Sequence, residues 1–364
     1  GQGTGIPWLG MPIADLASLE RALLVGSFLR KDHPLVAQRL RQAAKKGAEI
    51  ALLHSVADDS RIRVAHSFVV APSLLPHALA EIVVAAAQGA GRPVPAALAG
   101  IEPVAAAEVI AASLLAGERK AILLGNCAGQ HAEASQLLAL AQALAEIVGA
   151  RLGCLTEAAN SVGGYLAGAL PRSGADAGFN ARTMFADARK AYVLLGAEPE
   201  FDCANPVAAR GALEKAEFVV VMSPFRHGTQ YADVLLPVSP FTETAGTFVN
   251  CEGRAQAWNG VVKPLGETRP AWKVLRVLGS LLGLPGFDFD SIEDVRASLP
   301  SAEAVAARLA NGTRVAIAKP TVAPSPMERV ADVPIHFADP LVRRAPSLQQ
   351  AADAKPPRAR LDTL

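Results

Sequence analysis

Short, continuous runs of apolar residues alternate with longer helical patterns along the first 290 residues. Such runs are typical of parallel strands that are covered on both faces of a sheet. The predicted strands lie at Ala22–Gly26, 49–54, 67–70, 121–125, 192–196 and 218–221, and helices are predicted at 79–87 and 132–148. Strand, helix and strand at this spacing predict β-α-β crossovers. The pattern therefore indicates an α/β fold built from doubly wound, Rossmann-like units.

The helix after the first strand has clear start and stop signals. Asp32 or His33 is placed to cap it, and Pro34 falls in the first turn, where the missing N–H of proline costs nothing. Gly47 is a suitable end for the helix. Apolar side chains fall on one helical face and basic side chains on the other, as expected for a helix that packs against a sheet.

Changes in composition suggest where the chain divides. Residues 88–105 are rich in glycine and proline and predict a linking segment. We therefore expect a first Rossmann-like domain at 14–98, a second α/β domain at 99–290, and short helices with an extended Pro-rich tail at 291–364. Residues 151–171 are expected to meander between elements.

The second predicted domain closes with a hairpin. A strand at 232–237 ends at Pro237, which has no N–H to give to a ladder. Residues 248–250 are predicted to form a further strand, 251–254 a turn, and 255–258 a return strand.

Bulk properties exclude several classes of protein. Apolar residues make up 51% of the 364 residues, charged residues 19%, and the net charge is +1, which fits a folded chain without the basic footprint of a nucleic-acid-binding protein. There is no apolar run long enough to predict a membrane-spanning helix, and no secretory signal is visible. The four cysteines are dispersed without a C-x-x-C pair, so we expect reduced, buried thiols in a reducing compartment.

Three strand exits contain glycine and are candidates for binding an anion. They are the turns that begin at Gly26, at Gly125 with Gly129, and at Gly196 with Glu198. Backbone N–H groups at such turns attract phosphate, and ligands of open α/β sheets bind at these strand ends. The alternative is that glycine is required only for packing, which the lack of a G-x-G-x-x-G or P-loop pattern favours. A carboxylate at Glu198 would also repel a pyrophosphate.

No catalytic or metal-binding residue is predicted. The seven histidines are scattered without an H-E-x-x-H pattern, and there is no G-x-S-x-G elbow. Glu243 and Asp233 could act as an acid–base pair, but they are also explained as carboxylates that cap turns and fix the hairpin.

Several segments together resemble the molybdopterin oxidoreductase superfamily. The closing segment at 232–256 combines ADVLLP with E-x-x-G-T-x-x-N-x-E-G-R-x-Q. Other segments, spread over most of residues 14–285, also resemble segments of the family. These other segments are ALLVGSFLRKDHPLVAQRL at 22–40, the turn and helix at 125–149, an A-N-x-x-G loop at 159–163, and a strand ending in G-x-E-P at 192–199. In detail the chain looks most like the C-terminal part of the large iron–sulfur subunit of bacterial NADH-quinone oxidoreductase, respiratory complex I. The terminal segment DPLVRRAPSLQ is also similar to the tails of that large subunit.

This resemblance implies a scaffold rather than a catalyst. Active family members carry G-x-N-P where Glu198 occurs here, and no cysteine is placed to bind molybdenum. The large iron–sulfur subunits of complex I have this body without the pterin, and their 4Fe-4S and 2Fe-2S clusters lie in an N-terminal region. The resemblance thus implies a cytoplasmic part of the peripheral arm of complex I, with neighbouring arm subunits as partners and no cofactor in this segment.

Two other functions stay open from the sequence. The chain could be part of an oxidoreductase that still binds a molybdopterin guanine dinucleotide across Gly26, Gly125 and Gly196. It could also be an unrelated nucleotide-binding or transferase protein with Rossmann-like units.

Overall fold

The computed structural model describes residues 3–171, 178–322, 328, 330 and 336–351. The chain divides into two compact units, each assembled from separate stretches of sequence. The first unit comprises Gly1–Gly168, Val249–Arg254 and Ala302–Asp332. The second unit comprises Ala169–Phe248, Ala255–Ser301 and Val333–Leu364.

With one exception, the strands of the described residues overlap the predicted strands. They are β1 (Arg21–Val25), β2 (Glu49–His54), β3 (Val64–Val69), β4 (Lys120–Leu124), β5 (Arg151–Cys154), β6 (Ala191–Leu195), β7 (Phe218–Ser223), β8 (Val234–Pro237), β9 (Gly246–Val249) and β10 (Ala255–Trp258).

The α-helices of the described residues differ widely in length. They are α1 (Leu29–Asp32), α2 (Pro34–Lys45), α3 (Leu75–Gly89), α4 (Ala105–Ala116), α5 (Asn126–Gly129), α6 (Ala134–Val148), α7 (Ser161–Leu166), α8 (Ala181–Ala186), α9 (Pro199–Asp202), α10 (Pro206–Leu213), α11 (Ala271–Leu281), α12 (Ile292–Ala297), α13 (Ala302–Ala306) and α14 (Pro346–Gln349). Short 3-10 helices lie at Ile13–Ser18, Pro72–Leu74, Ala96–Leu98, Phe241–Glu243 and Val342–Arg344. None of the helices in the described parts of the chain has the length and apolar character needed to cross a membrane.

The first unit is built on a five-stranded parallel sheet in the order β3-β2-β1-β4-β5. The chain runs outward from β1 to β3 on one side and then crosses back to form β4 and β5 on the other. This order is that of a doubly wound sheet, and it confirms the predicted α/β fold. Strands β1 and β4 are neighbours within the sheet, so their carboxyl ends lie side by side.

Alternating residues of β1 enter two separate cores. Leu23 and Val25 are fully buried against the layer that contains α3, α4 and α6. Ala22 and Leu24 face the opposite side and pack in a second core with Leu40 of α2. Because both faces are covered, an unbroken apolar strand is the expected sequence for this position.

The second unit is built on the three-stranded parallel sheet β6-β7-β8. Tyr192 and Leu194 of β6 and Val219 and Val221 of β7 are buried on one face, where Leu213 of α10 also packs. Strands β9 and β10 pair in a separate two-stranded sheet, at the place of the predicted hairpin.

Two features differ from the sequence prediction. The stretch 151–171, expected to meander, begins with strand β5, which pairs with β4. Its Gly153 is required because an added β-carbon would lie 2.2 Å from the carbonyl oxygen of Leu9. The compact units also depart from the predicted bounds 14–98 and 99–290, since β4 and β1 share one sheet. Much of the Pro-rich stretch at 323–335, and all of 352–364, lie outside the described residues.

Asn311 ties distant parts of the first unit together. Its side-chain oxygen accepts a hydrogen bond from the backbone N–H of Trp8 at 2.8 Å, across 303 positions of sequence. Its amide nitrogen donates to the carbonyl oxygens of Trp8, at 2.9 Å, and Leu152, at 2.7 Å. Asn311 is buried, so these hydrogen bonds satisfy a polar side chain that would otherwise be costly to place there.

Candidate functional site

The first two predicted anion-binding turns meet in the first unit. Gly26 follows β1 with a φ of +60°, and an added β-carbon there would lie 2.7 Å from the backbone nitrogen of Ala128. An added β-carbon at Gly125, after β4, would lie 2.3 Å from the β-carbon of Ser27. Both glycines are therefore needed for the close approach of the two turns.

Three backbone donors of the second turn already bond within the protein. Cys127 and Ala128 both donate their N–H groups to the carbonyl oxygen of Gly26, at 2.9 and 3.4 Å, and Gly129 donates to Gly125 at 2.9 Å. Amides at a turn of this kind are the groups that a phosphate would use, so these three are less available to a ligand. Gly129, at the end of α5, has open space where a β-carbon would be, so packing does not require a glycine there.

Polar side chains surround this edge of the sheet; Ser27 lies in the predicted turn that begins at Gly26, whereas His54 was not assigned to a site. Ser27 is buried, and its hydroxyl has no hydrogen-bond partner within the described part of the chain. His54, at the end of β2, is buried edge-on against Phe28 with ring centroids 4.6 Å apart. His33 contacts the carbonyl oxygen of Thr156 at 2.8 Å. For Ser27 and His54, a position at the end of a predicted strand was the available sequence signal.

The third predicted turn lies in the second unit, after β6. Gly196 has a φ of +62°, a backbone conformation that favours glycine. Two residues later, Glu198 is 2% exposed, which is unusual for a carboxylate. Its backbone N–H donates to a carboxylate oxygen of Asp202 at 2.7 Å, so this donor too is satisfied within the protein.

Two arginines of the C-terminal segment neutralise Glu198. Arg344 donates from Nη1 to Oε1 of Glu198 at 2.6 Å, and Nη1 of Arg343 lies 3.4 Å from Oε2. Arg343 also donates from Nη2 to Oδ1 of Asp202 at 2.6 Å. We call this group of Glu198, Asp202, Arg343 and Arg344 the arginine clamp.

Aromatic rings complete the surroundings of the arginine clamp. The guanidinium carbon of Arg343 lies 4.8 Å from the ring centroid of Phe201, and that of Arg344 lies 4.3 Å from the ring centroid of Phe225. Contacts of this kind stabilise a cation that has lost its water. The side chain of Arg343 is only 5% exposed, so it is held as a buried cation.

The segment that carries these arginines is locally ordered. The Asp339 carboxylate accepts hydrogen bonds from the backbone N–H groups of Leu341 and Val342, at 2.8 and 3.0 Å. The side-chain amide of Gln349 donates to the carbonyl oxygens of His336 and Val342. Residues 339–349 therefore pack against the second unit, to which they belong.

Burial favours the protonated thiol at three of the four cysteines, all of which are free. Burial raises the pKa of Cys154 to about 12. Burial also raises the pKa of Cys251, and burial followed by the nearby Asp202 carboxylate raises the pKa of Cys203. A metal ligand must be a thiolate, so these environments disfavour metal binding. Within the residues that the structure describes, there is no group of three or more His, Cys, Asp or Glu side chains suited to hold a metal ion.

Comparison with known proteins identifies the family. Residues 2–281 match the family described as molybdopterin oxidoreductase. The chain belongs to this family.

The chain matches curated proteins over a short stretch of its sequence. The chain is 43% identical over 75 residues to a protein of Staphylococcus haemolyticus (strain JCSC1435) named "Putative formate dehydrogenase", and to its counterpart in Staphylococcus aureus (strain USA300). In each case the match covers 20% of this chain and 8% of the relative.

Two solved structures share the fold of this chain at low sequence identity. Acetylene hydratase from Pelobacter acetylenicus superimposes with a TM-score of 0.57 and 16% identity, over 79% of this chain and 50% of that one. The formyltransferase/hydrolase complex of Methylorubrum extorquens superimposes with a TM-score of 0.51 and 18% identity, over 74% of this chain and 75% of that one. Both likenesses concern the fold alone.

The residues at two of the turns do not fit the cofactor after which the family is named. At Gly125, the N–H groups of Cys127 and Ala128 already bond to Gly26, which leaves fewer donors for a pyrophosphate. At Gly196, the buried Glu198 carboxylate would repel a phosphate, and the nearby guanidinium groups already face carboxylates. Near Gly26, the buried hydroxyl of Ser27 could still bond to a ligand, since it has no partner within the described part of the chain.

Proposed function

We propose that this chain is a structural, non-catalytic segment of an oxidoreductase assembly. More closely, we propose that it is the C-terminal body of the large iron–sulfur subunit of an NADH:quinone oxidoreductase. In that role it supports electron transfer from NADH to quinone, without a redox centre or metal–pterin group of its own.

The observation that carries this proposal is the arginine clamp. The position where catalytic relatives are expected to have the asparagine of G-x-N-P is Glu198, and its charge is matched by Arg343 and Arg344. A buried carboxylate without a cationic partner would cost several kcal/mol. The protein therefore provides its own counter-charges at a turn that would otherwise be free to take a ligand.

The contact of Glu198 with Arg343 and Arg344 joins two features of the sequence that concern the resemblance to the large iron–sulfur subunit. One is the departure from G-x-N-P at Glu198, and the other is the terminal segment DPLVRRAPSLQ. Arg343 and Arg344 are the two adjacent arginines of that segment, and both face Glu198. A glutamate at the turn and two arginines in the tail form a complementary set, which supports a body stabilised for a structural role.

The assembly implied by this role defines partners and location. We propose that the chain contacts other peripheral-arm subunits of complex I on the cytoplasmic side of the inner membrane. We assign the 4Fe-4S and 2Fe-2S clusters to a region outside this sequence.

A second candidate is a formate dehydrogenase-like enzyme that binds molybdopterin guanine dinucleotide. The stretch that is 43% identical to proteins with formate dehydrogenase names favours it, and the unpartnered hydroxyl of Ser27 could contact such a ligand. The self-satisfied turns at Gly125 and Gly196 favour the structural role instead.

The experiment that separates the two is a cofactor analysis of the protein made in a host that synthesises molybdopterin guanine dinucleotide. We expect only traces of molybdenum by mass spectrometry and of oxidised pterin by fluorescence. A catalytically active family member purified in parallel is the positive control. Molybdenum close to one atom per chain, with matching pterin, would overturn the structural role.

A second measurement tests the assembly. A tagged chain is isolated from its native membranes under mild conditions and separated on a native gel. We expect it to migrate with NADH-dependent dye reduction. Migration with formate-dependent dye reduction would support the second candidate.

A further inference from the structure

A basic hollow lies on the surface of the first unit, away from the turns at Gly26 and Gly125. It has a volume of about 370 Å³ and is lined by Arg41, Ala44, Lys45, Arg61 and Arg63. Arg41, Ala44 and Lys45 belong to α2, whereas Arg61 and Arg63 come from the segment that leads into β3. We call this feature the basic hollow.

The placement of the four cations follows from the local structure. Arg41 and Lys45 are four residues apart, so they lie one above the other on the same face of α2. Arg61 and Arg63 are two residues apart, just before β3. All four residues are exposed, while Ala44 between them is buried and forms the floor.

Few acidic groups compensate this charge. The helix sequence PLVAQRLRQAAK contains no acidic residue. In the facing loop, Asp59 is paired with Arg61 at 2.6 Å, and Asp58 is the neighbouring carboxylate. Since the whole protein carries a net charge of only +1, four cations around one hollow are a local excess.

Hydrogen bonds at the end of α2 reduce the repulsion that its backbone would exert on an anion. Carbonyl groups at a helix C-terminus would repel a negative ligand if they were free. Here the carbonyl oxygen of Ala43 accepts from Lys46 and Ala48, and that of Ala44 accepts from Lys46 and Gly47. Two of the carbonyl groups at the negative end of α2 are thus satisfied by the chain itself.

Arg61 has a special backbone conformation. Its φ is +55°, and among the described residues it is the one non-glycine residue with a positive φ. This backbone conformation is strained for a residue with a side chain, so the surrounding structure must stabilise it. Here the conformation places the Arg61 side chain at the basic hollow, next to Arg63.

We infer that the basic hollow is a binding site for a compact, multiply charged oxyanion of the pyrophosphate class. Its lining offers guanidinium and ammonium groups, which suit phosphate oxygens, and the single apolar group is the methyl group of Ala44. Within the described residues, no aromatic ring lines it that could hold a base or another flat organic group. The site lies toward the amino ends of β2 and β3, at the opposite edge of the sheet from Gly26 and Gly125.

Titration calorimetry with inorganic pyrophosphate tests this inference on the full chain. We expect saturable binding in buffer of low ionic strength that weakens steadily as salt is added, because exposed charges are screened. The variant Lys45→Gln/Arg63→Gln should weaken binding by about tenfold or more, since two charge-assisted contacts are lost.

The matched control is Arg39→Gln/Lys46→Gln. It removes the same number of positive charges from α2 and its end, at exposed positions that do not line the basic hollow. The control should bind pyrophosphate nearly as well as the unaltered protein. Equal weakening in both variants, or no binding at low salt, would overturn the inference. Circular dichroism of both variants verifies that the exposed substitutions leave the fold intact.

Two further ligands distinguish the source of the oxyanion. Vesicles that contain phosphatidic acid test a lipid headgroup, and free pyrophosphate tests a soluble ligand; binding of either that depends on Lys45 and Arg63 supports the site. A hexaglutamate peptide tests an acidic protein surface. Binding of hexaglutamate more tightly than pyrophosphate would replace the oxyanion site with a protein interface.

Discussion

Replacing Glu198 by glutamine should loosen the C-terminal segment from the second unit. The substitution keeps the size of the side chain and one hydrogen-bond acceptor, but it removes the negative charge that faces Arg343 and Arg344. Asp202 then remains as the carboxylate of the arginine clamp, bonded to Arg343 at 2.6 Å.

The size of the effect follows from burial. Removing one partner of a buried ion pair costs about 3–5 kcal/mol. Here the cost is lower, because Arg343 keeps Asp202 and the side chain of Arg344 is 32% exposed and can regain water. We therefore expect the free energy of local opening of residues 339–349 to fall by about 2–3 kcal/mol, or roughly 30- to 150-fold in the opening equilibrium.

Hydrogen exchange measured by mass spectrometry reports this opening directly. The amides of Arg343 and Leu348 are hydrogen-bonded within the segment, at 2.9 Å to Asp339 and 3.1 Å to Ala345. Their exchange should accelerate by the stated factor, while exchange of the buried β1 strand in the first unit stays unchanged. Trypsin cleavage after Arg343 or Arg344 should accelerate in parallel.

Glu214→Gln is the matched control in the same unit. It also removes one carboxylate from an arginine, since Glu214 pairs with Arg210 at 2.6 Å, but both side chains are largely exposed. Such pairs contribute little, so the control should leave exchange unaffected. If Glu198→Gln also leaves exchange at 339–349 unaffected, or if Glu198→Gln and Arg344→Gln show no coupling in a double-mutant cycle, Glu198 does not hold the tail.

Two further predictions concern the first unit. Gly125→Ala should destabilise the first unit by about 1–3 kcal/mol through overpacking, because the new methyl group would meet Ser27. Gly129→Ala, which adds a methyl group in open space, should change the thermal midpoint little. Equal thermal midpoints for the two variants would contradict the packing seen at the turn. A hydrogen bond from Ser113 at 2.6 Å, with Arg21 nearby, lowers the pKa of Glu49, so its contribution to stability is present at neutral pH and is lost as the pH falls through the lowered pKa. Ser113→Ala should therefore move the acid unfolding transition, followed by circular dichroism, to higher pH, and an unchanged transition would count against this linkage.

The sheets of both units were largely predictable because their signal is local. Buried parallel strands such as β1 and β4 are apolar along most of their length, and Pro34 and Gly47 mark the bounds of α2 in the sequence itself. Strand β5 was missed because Gly153 breaks its apolar pattern. That glycine is explained only by the backbone of Leu9, which lies far away in the sequence.

The candidate site was predictable only in part. The sequence indicated Gly26, Gly125 and Gly196 as strand exits and Glu198 as an obstacle to phosphate, and those residues do follow the strands as expected. It could not indicate that Arg344 reaches Glu198 from 146 positions away, since no periodicity or spacing encodes such a pairing. The predicted crevice shared by the three turns stays a prediction, because Gly196 lies in a different compact unit from Gly26 and Gly125.

The hydrogen bonds of Asn311 have a consequence for synthesis on the ribosome. Trp8 must wait for a partner that is translated 303 residues later, which takes roughly 15–60 s at ordinary elongation rates. From its own synthesis until Asn311 follows 159 positions later, the carbonyl of Leu152 in the edge strand β5 also lacks its hydrogen bond from Asn311. The nascent chain thus exposes an incomplete sheet edge until Asn311 emerges, and a chaperone that shields this edge would raise the yield of folded protein.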